Sequence, residues 1–398
     1  PIATFPYKQT TNPTLEGNET SVLGRWERQY PDESRLILKS WYTYNDKDAV
    51  GSSETRNTWD VESEYHLAPM GRHQLLVGGG YRLTACNISS SYAVNFSPDS
   101  RTDNLFSLFM QDQIDLVQDK LALTLAVWLE HNDYTGFEIQ PTARMQWTPN
   151  DNDTFWASVS RAVQTSSQSF TDIRLNVARV PLALISILGN DQADSEVLMA
   201  YEAGYRRRCS DSMYMDWAFF YNHYDRLRTT DMELPRLELL PLPLHALIPI
   251  RYNNRAQANV TGFETTIEWR PLPIWRLNLS YSFLNVDILP EQDCRDPNIS
   301  DEENDTPRHI VALQSFWNPR PNVDADMTLY WVDGVKSLDI PEYFRADTHL
   351  AWRPRENLEA AVTIRNLFGE KHQEYATNSA ERSEIFGRDV WVTVTWRF

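Results

Sequence analysis

Cysteine is scarce in this chain, which has three in 398 residues, at positions 86, 209 and 294. Three cysteines are too few for a disulfide framework, and none forms the CxxC pair typical of zinc sites. Long apolar runs are lacking too. The longest, residues 180–189, is far shorter than the roughly 18–20 residues that a membrane-spanning helix needs. These shortages give no support to a disulfide scaffold, a zinc site or a helical membrane protein.

Positive charge is outnumbered, with 37 Lys and Arg against 55 Asp and Glu and a formal charge of −18. This sign is wrong for neutralising phosphates, so no nucleic acid partner is expected. Catalytic signatures such as GxSxG, HExxH, the P-loop and GxGxxG do not occur. The sequence therefore predicts no enzyme activity, no catalytic residue, no cofactor and no bound metal. Aromatic residues, at 12%, are too frequent for a disordered chain.

Strict alternation of apolar and polar residues is the main pattern that the sequence does contain. Residues 137–147 place Phe137, Ile139 and Trp147 on one side, and Glu138 and Arg144 on the other. A helix would mix these two sets, whereas a β-strand separates them. About 17 segments between residues 19 and 398 repeat this pattern. The sequence therefore predicts an all-β protein.

The connections between these segments alternate between short and long. Short connections of a few residues alternate with long ones at 46–54, 87–103, 164–196, 229–249, 289–306 and 369–386, although two others, near 132–135 and 335–340, are shorter. Tight periplasmic turns and long extracellular loops are typical of a transmembrane antiparallel β-barrel. Trp-x-Pro also recurs just before short turns, at Trp147, Trp269, Trp317 and Trp352. Because Trp favours the membrane interface, this recurrence favours an aromatic girdle over the core of a soluble sandwich.

Strand parity predicts that the barrel is incomplete in this chain. A closed bacterial barrel has an even number of strands, with both ends on the periplasmic side. The first segment here already runs towards a short turn, so an odd number of strands is expected before it. Residues 1–18 are then interpreted as the remnant of an extracellular loop, and residues 19–398 as the C-terminal part of the barrel.

Several segments resemble those of TonB-dependent outer-membrane receptors. Each segment alone is weakly specific, whereas their order and spacing together are specific. The segments are residues 129–149, residues 158–165 followed by 200–205, Val260-Thr-Gly-Phe-Glu264 before Trp269-Arg-Pro271, residues 364–375, and residues 387–398 with their terminal Phe. The resemblance implies a 22-stranded barrel filled by a plug. It also implies a location in the bacterial outer membrane and uptake of a scarce solute, a ferric siderophore or similar chelate, with energy from TonB. No plug is recognised in this sequence, so TonB would act through a segment that the chain lacks.

Inward-facing charges are the candidates for contact with a ligand. The alternation places six of them on the polar side of their strands: Glu138, Arg144, Glu264, Arg345, Asp347 and Arg365. They line a polar lumen in the simplest interpretation. Some of the arginines are the candidates for guiding an anionic ligand. Loops 164–196 and 229–249 are the stronger places for ligand contact, because nothing structural requires their length.

Each of these two loops contains an apolar run. Residues 180–188 are expected to form a short helix over the mouth, and residues 239–248 a similar apolar lip. The acidic residues between 291 and 305 are interpreted as a solvated loop, with Ca²⁺ binding or cation bridging to lipopolysaccharide as alternatives. Cys86 and Cys294 both lie towards the outer side and could pair, which leaves Cys209 apart.

Outer-membrane lipid and lipopolysaccharide, the TonB complex and a small solute are therefore the expected partners. Two other functions fit the same barrel, namely a passive outer-membrane pore and a surface adhesion protein that uses the long loops.

Overall fold

The structure, a computed structural model, describes residues 16–49, 52–239, 244–375 and 384–398. The strands are β1 (Glu16–Gln29), β2 (Arg35–Ala49), β3 (Ser52–His66), β4 (His73–Ser89), β5 (Val94–Phe96), β6 (Ser100–Val117), β7 (Leu121–Asn132), β8 (Gly136–Asn150), β9 (Asp153–Gln164), β10 (Ile173–Val180), β11 (Ala183–Leu188), β12 (Glu196–Ser210), β13 (Met213–Met232), β14 (Arg236–Glu238), β15 (His245–Leu272), β16 (Trp275–Pro290), β17 (His309–Arg320), β18 (Val323–Val332), β19 (Tyr343–Arg355), β20 (Leu358–Arg365), β21 (His372–Tyr375), β22 (Glu384–Phe386) and β23 (Asp389–Trp396). Helical structure is confined to α1 (Gln168–Thr171) and two 3-10 turns, at Asp301–Asn304 and Lys336–Leu338. None of the helices in these residues is long and apolar enough to cross a membrane.

Seventeen of the strands form one antiparallel meander, in which each strand pairs with the next along the chain. Their order is β1, β2, β3, β4, β6, β7, β8, β9, β12, β13, β15, β16, β17, β18, β19, β20 and β23. They correspond one to one with the 17 predicted segments, so the prediction of an all-β antiparallel barrel wall is confirmed. β1 begins at Glu16, so the end of the predicted loop 1–18 belongs to a strand, and residues 1–15 lie outside the described residues.

Strand register keeps the apolar residues of the meander on one face. Leu129 pairs with Ile139, and Glu130 pairs with Glu138. The same parity continues across the sheet, so that Trp147 lies beside Phe155. A slip of one residue would move every side chain to the other face, so this agreement fixes the register. We call the two sides the apolar face, which meets lipid, and the polar face, which meets the lumen.

The tryptophans before the short turns lie on the apolar face. Trp147, Trp269, Trp317 and Trp352 expose between 46% and 54% of their surface, as expected of side chains that meet the lipid headgroup region. Each lies three residues before the last residue of its strand. The predicted girdle is therefore present at the short-turn edge.

Two of the loop predictions are wrong. Most of the predicted long loop 46–54 is strand, because β2 extends to Ala49, β3 begins at Ser52, and these two residues pair. The expected helix at residues 180–188 is instead the end of β10 and the whole of β11, which pair as an antiparallel hairpin. Ile185 and Ile187 are β-branched and alternate with the buried Leu184 and Ser186, a pattern that fits a strand better than a helix.

The long loops extend the same sheet at the outer end of the wall. β5 pairs with β10, β10 with β11, and β11 with the first part of β15 in parallel. β14 pairs with the other side of the same part of β15. With 28 residues, β15 is far longer than the roughly 9–11 residues that span a bilayer. Its outer part therefore serves the loop sheet, a name we use for β5, β10, β11, β14 and residues 245–252 of β15.

The three cysteines have free thiols. Cys86 is buried in β4, Cys294 is half-buried in the loop after β16, and Cys209 is exposed beside a short turn. Cys294 packs against a small core of Ala256, Ala258, Ile288 and Ile299. The structure therefore contains no Cys86–Cys294 disulfide.

Candidate functional site

A cavity of about 490 Å³ lies at the outer end of the wall, on its polar face. We call it the mouth cavity. Its wall comes from the outer parts of β2, β3, β4, β6 and β7, and its cover from β5 and residues 165–169. β5 lies in the loop after β4, and residues 165–169 follow β9 directly, so two long loops close a space that the barrel strands leave open.

Cationic groups are prominent in this cavity. Lys47, Arg56 and Arg82 line it, against the carboxylates of Glu54 and Asp103. Three positive and two negative side chains line this space in a chain of formal charge −18. Ammonium and guanidinium groups that present N–H donors to a cavity favour an anionic guest over a cationic one.

The two arginines are held by carboxylates of neighbouring positions. Arg56 Nε lies 2.6 Å from Glu54 Oε1. Arg82 Nε donates to Asp60 Oδ2 at 2.8 Å, and Asp60 is buried. Each guanidinium keeps further N–H groups for a guest, because one such contact uses only part of its five donors. Their side chains are both 46% exposed.

A second network fixes the cover of the cavity to the wall. Arg101 lies 2.5 Å from Asp103 and 3.1 Å from Asp172, which follows α1. The hydroxyl of Tyr134 donates to Asp103 at 2.5 Å. Burial and this hydrogen bond to Asp103 raise the pKa of Tyr134 well above its ordinary value, so the hydroxyl remains a donor at neutral pH. The network holds the loop that begins after β9 against β6.

The six candidates from the sequence all lie on strands of the wall, on its polar face, and none of them lines the mouth cavity. Glu138 is buried and accepts a hydrogen bond of 2.5 Å from Ser195. The guanidinium of Arg144 lies over the ring of Trp156, 5.0 Å from its centroid. Glu264 is exposed opposite Ser282. A direct role in ligand contact remains a prediction for these three residues.

The other three candidates meet in a second cavity, also of about 490 Å³. Arg345 lies 3.2 Å from Asp347 and 2.7 Å from Glu374, and Arg365 lines the same space. The sequence pattern thus grouped Arg345, Asp347 and Arg365 on one face, and the structure places them together. Their contact with a ligand likewise remains a prediction.

Sequence reasoning missed the residues of the mouth cavity, although alternation offered a signal. Arg56 occupies a polar-face position near the outer end of β3, as Arg345 does in β19, and Arg82 a polar-face position in the middle of β4. The cover could not be predicted from alternation, because residues 165–169 belong to a loop and meet β3 and β4 only in the folded chain. Within the described residues, no group of three or more His, Cys, Asp or Glu side chains could hold a metal ion.

An antiparallel wall with an apolar band, an interfacial tryptophan girdle and a polar inner face defines an outer-membrane β-barrel. A family model described as "TonB dependent receptor-like, beta-barrel" matches residues 3–367. The chain therefore belongs to the TonB-dependent receptor family, whose members are bacterial outer-membrane transport proteins and not enzymes.

Solved structures of siderophore receptors share this fold. The siderophore receptor PirA of Acinetobacter baumannii superimposes with a TM-score of 0.75 at 13% identity, over 97% of this chain and 63% of that one. A mutant of the ferric enterobactin receptor PfeA of Pseudomonas aeruginosa, in complex with enterobactin, gives 0.71 at 15% identity, over 96% and 62%. The ferric-catecholate import receptor Fiu of Escherichia coli gives 0.70 at 11%, over 96% and 64%. The chain thus spans less than two thirds of the length of these proteins. No curated protein matches it.

Proposed function

We propose that this barrel belongs to a receptor that binds a scarce anionic chelate, a ferric siderophore or a similar compound, at the cell surface. The receptor passes the chelate to the periplasm with energy from TonB. The mouth cavity carries this proposal, because it places Arg56 and Arg82 on the inner face, at the end of the barrel where the long loops lie. Coupling to TonB is proposed and not observed, because the chain covers only part of the length of the receptors that it resembles.

The contribution of positive charge in the cavity can be tested separately from that of hydrogen bonding. Arg56→Gln and Arg82→Gln each remove one positive charge while keeping hydrogen-bond donors. Loss of one charge-assisted contact costs about 1.5–3 kcal/mol, so the affinity for an anionic ferric chelate is expected to fall about tenfold or more. Arg270→Gln is the matched control, since Arg270 also pairs with a carboxylate, Glu268 at 2.7 Å, but at the short-turn end of β15.

Uptake of radioactive iron as a ferric tricatecholate by cells that carry the complete gene measures this effect. The proposal expects uptake that needs TonB and falls in the two cavity variants but not in Arg270→Gln. Uptake that persists in a TonB-deficient strain would instead show a passive pore. Unchanged uptake in both cavity variants would show that the mouth cavity does not bind the chelate.

A further inference from the structure

The two faces of the loop sheet differ in composition, since the buried face is mixed and the less buried face is wholly apolar. One face carries Asn176, Arg179, Ser186 and His245, all less than 9% exposed. The other face is aliphatic and half-buried or exposed. An ordinary sheet that has one wet side buries its aliphatic face and exposes its polar one.

Strand register defines the aliphatic face as three rows across the loop sheet. The first row is Val94, Leu175, Ile187, Ile250 and Met232, the last from the adjoining end of β13. The second row is Ala178, Ile185 and Ile248. The third row is Val180, Ala183, Ala246 and Leu237. All twelve side chains are apolar.

Within the part of the chain that the structure describes, this face is incompletely covered. Ile185, Ile187, Ile248 and Ile250 at its centre are half-buried. At its edge Val180 is 52% exposed and Leu237 76% exposed. Contiguous exposed apolar surface is uncommon on a protein and usually marks a contact with something else.

A network of polar contacts determines which face of the loop sheet is buried. Ser186 Oγ donates to Asn176 Oδ1 at 2.7 Å, and Arg179 Nη1 donates to the hydroxyl of Tyr92 at 2.7 Å. Leu184, Leu188 and Leu247 pack together on the same face as these polar groups. Burial of polar groups is tolerated only when they are hydrogen-bonded, so these contacts fix which face is inward.

The aliphatic face is continuous with the mouth cavity. Val94 opens the first row, and both Val94 and Phe96, two positions along β5, line the cavity. One end of the face therefore reaches the space that contains Arg56 and Arg82. From β5 to β13 the first row crosses four strand spacings, about 19 Å at about 4.8 Å each.

We propose that this receptor takes an amphiphilic chelate, with its anionic head in the mouth cavity and an aliphatic tail laid across the loop sheet. The proposal rests on the proposed function and names the substrate class of the same site. An anionic head suits the positive charge of the cavity, and an alkyl tail suits rows that present no hydrogen-bonding side chain. A compact chelate without a tail would leave the aliphatic face bare.

Two ferric tricatecholate chelates with the same head test the proposal, one bare and one with a decanoyl tail. Binding is measured with the complete receptor in nanodiscs, so that no detergent competes for the apolar face. The acylated chelate is expected to bind at least about tenfold more tightly, because each buried methylene favours binding. Ile187→Asn and Ile250→Asn should reduce this advantage to less than about twofold and leave the affinity for the bare chelate unchanged.

Val177→Asn is the matched control. Val177 lies on β10 and is 49% exposed, but it occupies a bulge outside the three rows. It should keep the full advantage of the acylated chelate. If Ile187→Asn does not insert into membranes, Ile187→Ala together with Ile250→Ala makes a milder version of the same test.

Equal affinity of the two chelates for the unmodified receptor would overturn the inference and leave the proposed function standing. If neither chelate binds, the proposed function fails for this ligand class, and a dansylated fatty acid decides the inference separately. A fluorescence increase that Ile187→Asn abolishes would support an aliphatic site, and no increase would refute it. A melting temperature of the unliganded protein that falls in Ile187→Asn but not in Val177→Asn would show that the face packs against the protein itself, which also refutes the inference.

Discussion

Gly204 in β12 is the clearest place where the wall admits only glycine. Gly204 pairs with Trp156 of β9 on the polar face. A Cβ atom at position 204 would lie 2.6 Å from Cζ2 of the indole and closer still to Nε1 and Cε2. Normal carbon contacts are about 3.5–4.0 Å, so Gly204→Ala requires the indole to move by about 1 Å. That movement would also disturb Arg144, which lies over the same ring.

The sign of the change in the free energy of unfolding distinguishes an effect of side-chain packing from an effect of the backbone. Alanine in place of glycine inside a strand is ordinarily favourable by about 0.5–1 kcal/mol. Overpacking costs about 1–3 kcal/mol, and weakening the contact of Arg144 with Trp156 adds about 0.5–1 kcal/mol. We therefore expect Gly204→Ala to lower the free energy of unfolding by about 0.5–3.5 kcal/mol.

Gly24 in β1 provides the control, because the nearest atom to a Cβ there is the Ser40 carbonyl oxygen at 3.8 Å. Gly24→Ala should be neutral or stabilising by up to about 1 kcal/mol. Unfolding in guanidinium from lipid vesicles, followed by circular dichroism, measures both changes. In a Trp156→Ala background, which lacks the indole, Gly204→Ala should instead be favourable, as alanine in place of glycine ordinarily is inside a strand. A Gly204→Ala protein at least as stable as the unmodified one would refute this account of the contact.

The assignment of the two faces predicts that Val127→Arg, on the apolar face of β7 opposite Met110 and Pro141, destabilises the barrel by about 2–4 kcal/mol. Its neighbour Ala126→Arg, on the polar face opposite Gln111 and Thr142, should change the free energy of unfolding by less than about 0.5 kcal/mol, and equal effects would contradict the register. In the loop sheet, hydrogen bonds from Arg174 at 2.6 and 3.0 Å hold the pKa of Glu238 below its ordinary value. The stability that this pair contributes is complete above about pH 4.3 and is lost as the pH falls through the lowered pKa. Pepsin cleavage near β14 should therefore increase between about pH 4 and pH 2, and Glu238→Gln should be cleaved readily across that whole range.

The wall of this barrel could be predicted from the sequence because each strand satisfies its own constraint. Lipid on one side and a polar lumen on the other impose a period of two on every segment, and hairpin pairing joins neighbours along the chain. Residues 137–147 carried this signal without help from any distant residue. The run Gly78–Gly80 marks a place where neighbouring strands pack closely, since a Cβ on Gly78 would meet the ring of Phe109.

The mouth cavity was only partly predictable. The inward positions of Arg56 and Arg82 follow from alternation, as do those of Arg345 and Asp347, which the structure brings together in the second cavity. Alternation assigns a face but not a height, and it contains no information about which loop folds over which strands. The ion pair of Arg101 with Asp172 joins residues that are 71 positions apart. Such a contact leaves no local trace in the sequence.

The apolar runs in the two longest loops show why the remaining error arose. Each run considered alone has the length of a short helix, and the sequence suggested two independent features, a helix and a lip. In the structure, residues 183–188 pair in parallel with residues 246–251, and each run provides the neighbour that the other needs to become a strand. Parallel strands are not joined by a tight turn, so the sequence contains no turn residues that would predict this pairing. The two runs are thus one surface, and the chelate that we propose would meet both of them together.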